Sequence, residues 1–342
     1  MLVTYTARPV GDVVAIDDDT AGTVEKEIND LLSQGKEVDA NKKIYDLLVD
    51  VQLPNNALIS ATPLATLPNE ATDAYKVRVD GLEETKQNYA DLIRILERIL
   101  IKRKSSILTK QVNIFTTNYD LFIENAAENC PAIKLNDGFA RTPNLQSRYA
   151  FSAQGFFNST FNNGNLYSYK VEIPNLNLIK IHGSLSWKSD GEDIVSKIGV
   201  QDIPAGNPDA KAIQDFNSGF SLIVPQQGKF RKTLLDRVYY DLLRIYSNEL
   251  DKENTILMVI GFSFGDEHLY DITRRALKNP TLILLIFSFS QEGAGLFAEK
   301  FACHNNVHII SPGEDGNITL KDFNLILTQV FERKKETAND NE

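Results

Sequence analysis

Three short polar clusters of this sequence follow apolar stretches and contain side chains that could take part in a reaction. They are FTTNYD, KIHGS and IGFSFGDEH, in that order along the chain. In the first cluster, the amide of Asn118 could orient a water or a hydroxyl group while Asp120 holds its other end. In the second, the imidazole of His182 could accept a proton as a general base. These side chains could act together only if the fold brings the clusters to one place.

The apolar stretches before the clusters have the pattern of buried β-strands. They are VNIFT, LNLIKI and TILMVI, and a fourth stretch of this kind, TLILLIF, leads to Ser288 and Ser290. Helical patterns lie between them, which favours a parallel sheet covered on both faces. The predicted fold class is therefore α/β, with a doubly wound parallel sheet. The carboxyl ends of such strands share one edge, and ligands bind in the crevice outside it.

Composition and periodicity divide the chain into three parts. Residues 1–84 have the pattern of an irregular and partly helical segment, residues 85–333 that of the α/β domain, and residues 334–342 that of a disordered tail. The domain begins with a long amphipathic helix whose apolar stripe is expected to cover one face of the sheet. Two polar insertions, 135–175 and 189–220, are predicted to form hairpins, loops and surface excursions.

The bulk composition excludes several classes of protein. The chain has 342 residues and a formal net charge of −10, which argues against direct nucleic-acid binding without a partner. Its two cysteines, Cys130 and Cys303, cannot build a disulfide framework or a four-cysteine zinc site. No signal-peptide pattern opens the sequence, and no apolar run is long enough to span a membrane. We therefore expect a cytoplasmic protein without a membrane partner.

Each polar side chain in the clusters also has a structural interpretation. Asn118 or Asp120 could cap the helix that follows, and His182 could be a buried histidine bonded to the backbone. A helix cap is the preferred interpretation of Asp266. His268, inside the next helix, is expected to be structural. The case for a site therefore depends on all the clusters meeting at one edge of the sheet.

Taken together, the clusters resemble the motifs of the sirtuin-like domains of bacterial defence proteins. The sirtuin T-Q-N-x-D motif corresponds to residues 116–120, with Thr117 in the place of the glutamine. The H-G motif corresponds to His182 and Gly183, and the G-x-S motif to residues 261–263. In this chain the G-x-S motif continues as F-G-D-E-H, and this longer motif is similar to the defence branch of the family rather than to the deacetylases.

This resemblance implies a Rossmann-like sirtuin core and a specific activity. The activity is hydrolysis of NAD+ to ADP-ribose and nicotinamide by an effector of anti-phage, abortive-infection defence. The resemblance assigns catalytic roles to Asn118, His182 and Asp120. The residues that it assigns to NAD+ binding are Thr116, Thr117, Gly183, Gly261, Phe262, Ser263 and Ser288. It also implies a homo-oligomer, with a HerA-type ATPase as a possible partner.

Two features depart from the sirtuin pattern. Deacetylase sirtuins hold a zinc ribbon with four cysteines, so we expect no zinc and favour NAD+ hydrolysis over deacetylation. Sirtuins also carry a G-A-G-x-S loop after their first strand, and no such loop precedes residue 110. Three explanations are open: the phosphate loop and a central strand come from residues upstream of Met1, the phosphate site is built differently, or NAD+ binding is impaired. We expect the first.

Two alternative functions remain open from the sequence. The first is a catalytically weak oligomeric scaffold that assembles with a HerA-type ATPase, an interpretation that the absent glycine loop favours. The second is a metal-dependent nuclease with Asp120, His182, Asp266 and His268 as ligands. The spacing of Asp266 and His268 disfavours this second function, since side chains two apart on a helix diverge by about 200°.

Overall fold

The fold is described from a computed structural model of the chain. The residues that it describes are 2–4, 27–28, 30–60, 81–103, 109–141, 145, 148–163, 170–190, 193–204, 206–222, 237–314 and 316–332. The predicted disordered tail and most of the first 26 residues, which include the stretch after the first strand, lie outside this range.

The strands and helices alternate along the described chain. The strands are β1 (Leu2–Thr4), β2 (Gln111–Thr116), β3 (Lys134–Asn136), β4 (Phe161–Asn163), β5 (Lys170–Glu172), β6 (Asn175–Lys180), β7 (Trp187–Asp190), β8 (Asp193–Ser196), β9 (Ile256–Ile260), β10 (Ile283–Phe287) and β11 (Val307–Ile310). The helices are α1 (Glu37–Ser60), α2 (Leu82–Lys102), α3 (Phe122–Glu128), α4 (Ala210–Ser218), α5 (Arg237–Leu250), α6 (Glu267–Ala276), α7 (Gln291–Lys300) and α8 (Leu320–Glu332).

The main strands form two parallel hydrogen-bonded sheets that meet at β1. One sheet has the order β3-β6-β2 and the other the order β1-β9-β10-β11. Because β1 lies beside β2, the strands follow the order β6-β2-β1-β9-β10-β11, with β3 at one edge. This is the order of dinucleotide-binding α/β folds, in which the strand order reverses next to the central strand. The predicted doubly wound parallel sheet is confirmed.

Two hydrophobic layers cover the faces of these sheets. On one face, Phe115 of β2 packs in a buried cluster with residues of α5, α6, β9 and β10. On the other face, Ile114 of the same strand packs with residues of α2, α3 and α8. Neighbouring residues of one strand therefore face opposite layers, and both layers are apolar. This explains why the strands appear as continuous apolar runs in the sequence.

Helix α1 is the largest element that the sequence analysis did not predict. Its apolar residues are not gathered on one clear stripe, and Pro54 lies inside it. The helix is held by tertiary packing, since Ile44 and Leu48 form a third buried cluster with Leu185 and with the half-buried Tyr119. Tyr119 lies in the polar cluster that follows β2, and Leu185 comes directly after the polar cluster that follows β6, so α1 packs behind both clusters.

The two predicted insertions contain short elements. The first holds the antiparallel pair β4–β5 and a 3₁₀ helix, Ala153–Phe157. A buried amide fastens this 3₁₀ helix to the sheet, because Asn177 Nδ2 donates to Asn113 Oδ1 at 2.9 Å and to the carbonyl of Phe156 at 3.0 Å. The second insertion holds most of the β7–β8 hairpin and the helix α4. The sequence analysis did not predict this helix.

The position of β1 corrects one expectation from the sequence. We expected the central strand to come from residues upstream of Met1, but Leu2–Thr4 lies between β2 and β9 and pairs with β9 in parallel, Val3 opposite Met258. The apolar run before Thr4 is too short to stand out as a strand in the sequence. None of the described helices is long and apolar enough to cross a membrane.

Candidate functional site

The predicted polar clusters lie at the carboxyl ends of parallel strands. Strand β2 pairs with β6 so that Thr116 lies opposite Lys180, and the amide of Ile181 donates to the carbonyl of Thr116 at 2.9 Å. Asn118 and His182 therefore follow the ends of neighbouring strands, each two residues beyond a paired position. The cluster with Gly261 follows β9 on the other side of β1.

The loop after β2 is held by its own polar groups. The hydroxyl of the buried Thr116 accepts a hydrogen bond from the amide of Asn118 at 3.1 Å. The Asp120 carboxylate accepts from the amide of Phe122, the first residue of α3, at 3.1 Å, and from the side chain of Asn118. The side chain of Asn118 is half-buried. Thus the structure brings Asn118 and Asp120 into contact, with the Asn118 amide as the donor.

A buried lysine lies behind this loop. The ammonium of Lys180 is 2.8 Å from Glu124 Oε1 and 3.2 Å from Ser184 Oγ, and it donates to the backbone carbonyl of Asp120. Its side chain is 3% exposed. Burial raises the pKa of Asp120 and that of Glu124, and the positive charge of Lys180 opposes both shifts. The charge of one lysine therefore favours the ionised form of two buried carboxyl groups, those of Asp120 and Glu124.

Helix α1 also supports the loop after β2. The fully buried Asn55 accepts a hydrogen bond from the amide of Leu121 at 2.9 Å. Its side-chain Nδ2 finds no hydrogen-bond partner among the described residues. Since α1 was not predicted from the sequence, neither was this contact.

The loop after β6 carries His182 and Gly183. His182 has a side chain that is 20% exposed, and Gly183 is buried with a φ of 89°. A Cβ at Gly183 would lie 2.6 Å from the carbonyl oxygen of Ser221. The close approach at this glycine is therefore to the protein's own chain. Its predicted role in NAD+ binding stays a prediction.

The loop after β9 reaches across the sheet edge to His182. Asp266 accepts hydrogen bonds from the amides of His268 at 2.9 Å and Leu269 at 3.0 Å, so it caps α6 as predicted. Its other oxygen, Oδ2, lies 3.0 Å from His182 Nε2. The interpretation of Asp266 as a cap alone is thus incomplete, because the same carboxylate pairs with the imidazole 84 residues earlier.

The pairing sets the charge of Asp266. Partial burial acts to raise the pKa of this carboxyl, but the hydrogen bond and charge of His182 and the amide of Leu269 outweigh burial and lower the pKa below its usual value. Asp266 is therefore ionised at neutral pH. An ionised carboxylate can only accept, so the Nε2 of His182 carries the hydrogen and donates it.

A strained residue shapes the loop between β9 and Asp266. Phe264 has a φ of 59°, which is uncommon for a residue other than glycine, and its side chain is 2% exposed. Its ring lies 5.0 Å from that of Phe262 and 5.0 Å from that of Phe301. The ammonium of Lys300 donates to the carbonyls of Ser263 at 3.3 Å and Phe264 at 2.8 Å. Packing and a lysine therefore hold the loop in a conformation that it would not adopt alone.

The residues predicted to bind NAD+ fall into two groups. Thr116, Gly183 and Ser288 are buried, and the Ser288 hydroxyl donates to the carbonyl of Ser290 at 2.8 Å. Thr117, Phe262 and Ser263 are half-buried, and Gly261 is exposed with a φ of 63°. A ligand at this edge could contact the half-buried and exposed residues directly. The buried residues instead support the loops from inside the protein.

A surface groove lies elsewhere, between α5 and α6. Its lining includes Arg244, His268, Arg274 and Arg275 but neither Asn118 nor His182. His268 therefore points into a different environment from Asp266, and the two do not converge on one metal. Among the described residues, no group of three or more His, Cys, Asp and Glu side chains could hold a metal ion.

Sequence reasoning missed three polar residues of the site: the pairing role of Asp266, and both Lys180 and Glu124. A lysine in the middle of an apolar strand pattern, as in LNLIKIHG, was the available signal for Lys180. Buried lysines are rare without a partner, so such a position predicts a buried carboxylate nearby. The identity of that carboxylate could not be read locally, because Glu124 lies on α3.

Comparison with known proteins identifies the family of this chain. A search of curated proteins found no match. Residues 112–309, more than half of the chain, match the model of the SIR2-like domain. This region contains β2, β6 and β9 with the loops that carry Asn118, His182 and Asp266. The chain therefore belongs to the family of proteins with a SIR2-like domain.

Proposed function

We propose that this chain hydrolyses NAD+ to ADP-ribose and nicotinamide, with His182 as the general base and Asn118 as the group that orients the reacting water or hydroxyl. Membership of the SIR2-like family is compatible with NAD-related activity. The observation that carries the proposal is the hydrogen bond between His182 and Asp266, 3.0 Å long, at the sheet edge where Asn118 also lies.

The proposed reaction breaks the bond between the ribose C1′ and the nicotinamide nitrogen. A water molecule bonds to C1′, and the electron pair of the broken bond passes to the ring, which leaves as neutral nicotinamide. The proton of the water passes to His182. Positive charge develops on the ribose as the bond breaks, as in other glycosidic cleavages.

The pairing with Asp266 prepares His182 for this role. Since Nε2 donates to the ionised carboxylate, Nδ1 is the nitrogen that can accept a proton. The positive charge that the imidazole then acquires is stabilised by Asp266. The same division of work between a base and the carboxylate that orients it occurs in hydrolytic triads.

The contact with Asp120 prepares Asn118 in a comparable way. The side-chain amide of Asn118 donates to the Asp120 carboxylate. The amide oxygen is thereby directed away from that carboxylate and can accept a hydrogen bond from a water or a ribose hydroxyl. Holding this water in place lowers the entropic cost of the attack.

The test measures free nicotinamide released from NAD+ by the purified protein. We expect His182→Ala to lower the rate by about 10²- to 10⁴-fold, the usual contribution of a general base. Asn118→Ala should also lower it strongly. The matched controls are His308→Ala and Asn305→Ala, since His308 is exposed on β11 and Asn305 is exposed just before it. Absence of nicotinamide release by the wild-type protein, or equal rates in all variants, would refute the proposal.

A second candidate function is a catalytically weak scaffold that assembles with a HerA-type ATPase. The sequence feature that favours it is the stretch TARPVGDVV after β1, which has a single glycine where sirtuins carry a glycine-rich phosphate loop. Co-purification with such an ATPase, together with nicotinamide release no faster than that of His182→Ala, would support the scaffold over the hydrolase.

The biological part of the proposal is defence against phage by a homo-oligomer that depletes NAD+. It rests on the resemblance of the motifs. Cells that carry the wild-type gene should lose NAD+ and restrict phage growth after infection, whereas cells that carry His182→Ala should not. Light scattering of the purified chain tests the oligomer, and a monomer at all concentrations would contradict it.

A further inference from the structure

Lys180 occupies an unusual position in the site. It lies on β6, two residues before His182, yet its ammonium contacts groups on the loop after β2, on α3 and on the loop after β6. These groups are the Asp120 carbonyl, the Glu124 carboxylate and the Ser184 hydroxyl. An ammonium has three N–H donors, and this one has three acceptors on three separate segments of the chain.

We propose that Lys180 is a positioning residue, whose ammonium sets the placement of the Asn118 amide relative to the imidazole of His182. This inference rests on the proposed hydrolysis of NAD+. Lys180 touches neither Asn118 nor His182, and it acts through the two loops that carry them.

The first step of the argument concerns the loop after β2. Lys180 donates to the backbone carbonyl of Asp120, which fixes the peptide plane between Asp120 and Leu121. The Asp120 carboxylate holds the side-chain amide of Asn118. The positive charge of Lys180 also favours the ionised form of Asp120 against the effect of burial. In its ionised form the carboxylate accepts from the Asn118 amide and cannot donate to its oxygen, so the charge of Lys180 favours the orientation in which the amide oxygen points away from Asp120.

The second step concerns the loop after β6. Lys180 donates to Ser184 Oγ at 3.2 Å, and the amide of Leu185 donates to the carbonyl of Tyr119 at 3.0 Å. Ser184 is fully buried and also contacts the hydroxyl of Ser186 at 3.1 Å. The loop that carries His182 is therefore joined to the loop that carries Asn118 through the lysine, through the Leu185 amide, and through Ser184 Oγ, which donates to the Tyr119 carbonyl at 3.4 Å.

A purely structural role is the competing explanation. The pair of Lys180 and Glu124 could simply neutralise two buried charges, and one carboxylate oxygen of Glu124 has no hydrogen-bond partner among the described residues. A fully optimised structural ion pair would satisfy that oxygen as well. Removing both charges would then restore both stability and activity, whereas the three contacts of the ammonium predict that activity stays low.

The experiment uses the full chain with Lys180→Met and with the double variant Lys180→Met/Glu124→Met. The single variant leaves Glu124 unpaired and is expected to lose both stability and activity. The double variant is expected to recover part of its melting temperature, because the Glu124 carboxylate is removed together with its partner and only Asp120 loses the charge of Lys180. Its kcat is expected to stay on the order of 10² lower than that of wild type, with KM little changed. The control is Lys188→Met, since Lys188 is a half-buried lysine on β7 that stacks on Phe220.

Hydrogen exchange of backbone amides provides a readout that does not need activity. In the double variant, the amides of residues 118–122 should exchange at least about tenfold faster, and those of α6 should be unchanged. If wild type releases no nicotinamide, the proposed function fails, and this exchange pattern still decides whether Lys180 orders the loop. A double variant with wild-type kcat and wild-type exchange would overturn the proposal. Should the methionine pair not fold, Lys180→Gln/Glu124→Gln is judged by the same two criteria.

Discussion

The loops that follow β2 and β9 each place an aspartate at the start of a helix, but the two carboxylates have opposite electrostatic settings. Asp120 accepts from the first amide of α3, is 7% exposed, and has a pKa that burial raises. Asp266 caps α6 and has a side chain that is 19% exposed. Partial burial acts to raise its pKa, but His182 and the amide of Leu269 outweigh it and lower the pKa. A capping position in the sequence therefore predicts a hydrogen bond but not the charge state of the group that makes it.

The opposite pKa shifts follow from the groups that surround each carboxylate. Asp120 faces inward, where its neighbours are Lys180 and the Asn118 amide. Asp266 faces the sheet edge and meets the imidazole of His182. We therefore expect the loop after β2, here called the inner loop, to act as a rigid support. The loop after β9, here called the outer loop, carries the carboxylate that pairs with His182, the proposed general base. The predictions below test this division.

The largest effect is expected from Asp266→Asn. Asparagine caps helices as well as aspartate does, so α6 should stay intact. Its Nδ2 would donate to His182 Nε2, which moves the hydrogen of the imidazole to Nδ1 and removes the proton acceptor. Nicotinamide release should therefore fall by about 10²- to 10⁴-fold while the variant still folds.

The control for that variant is Asp271→Asn, at an exposed position of the same helix. Equal rates for Asp266→Asn and wild type would show that the outer loop does not tune the base.

The next largest effect is on stability, at Phe264. Phe264→Ala should lower the free energy of unfolding by about 3–5 kcal/mol, because a buried aromatic ring is lost. Phe264→Gly should be more stable than the alanine variant by about 0.5–1 kcal/mol, since glycine adopts a φ of 59° without strain. Urea denaturation measures both. An alanine variant more stable than the glycine variant would show that the loop stores no strain.

The two aspartates should also respond to pH with opposite sign. Because the pKa of Asp120 is raised in the folded state, its contribution to stability falls as pH rises from about 4 through the raised pKa. Because the pKa of Asp266 is lowered, its contribution is complete above about pH 4 and is lost as pH falls through the lowered pKa. Each unit of pKa difference corresponds to about 1.4 kcal/mol.

Urea denaturation of wild type, Asp120→Asn and Asp266→Asn between about pH 3 and about pH 7 measures these contributions. The stability difference between wild type and Asp120→Asn should decrease with pH, and that between wild type and Asp266→Asn should increase and then stay constant. If both stability differences changed with pH in the same direction, the predicted contrast between the two aspartates would be wrong.

The smallest effect is expected at an ion pair on the surface of α6. Arg274 lies 3.2 Å from Asp271, and both side chains are more than half exposed. Such pairs contribute about 0–1 kcal/mol, and less in high salt. Arg274→Ala should therefore change the free energy of unfolding by less than about 1 kcal/mol. A larger loss would mean that the groove between α5 and α6 supports the outer loop.

Local sequence patterns were sufficient for most of the sheet and its cover. The apolar runs before the polar clusters correspond to β2, β6 and β9, and the long helical stripe corresponds to α2. Periodicity reveals these elements because each one buries a regular set of side chains. Helix α1 was missed because its apolar residues do not form such a set, and β1 was missed because it is only three residues long.

The candidate site was predictable in part for the same reason. A parallel sheet brings its carboxyl ends to one edge, so strand order alone places Asn118 near His182. The hydrogen bond between His182 and Asp266 depends on the conformation of the loop at Phe264, which has a φ of 59°. A local sequence pattern does not predict that conformation.

The residue types and their order along the chain determined the α/β class, the shared edge of the strands and the position of Asn118 and His182 at that edge, because burial imposes a period on each element. Only the folded chain decided that Asp266 pairs with His182 and that Lys180 links the loops after β2 and β6. These contacts join residues 84 and 60 positions apart. Each contact forms only after the strands, helices and loops between its two residues have packed into place. Local sequence patterns therefore do not contain it.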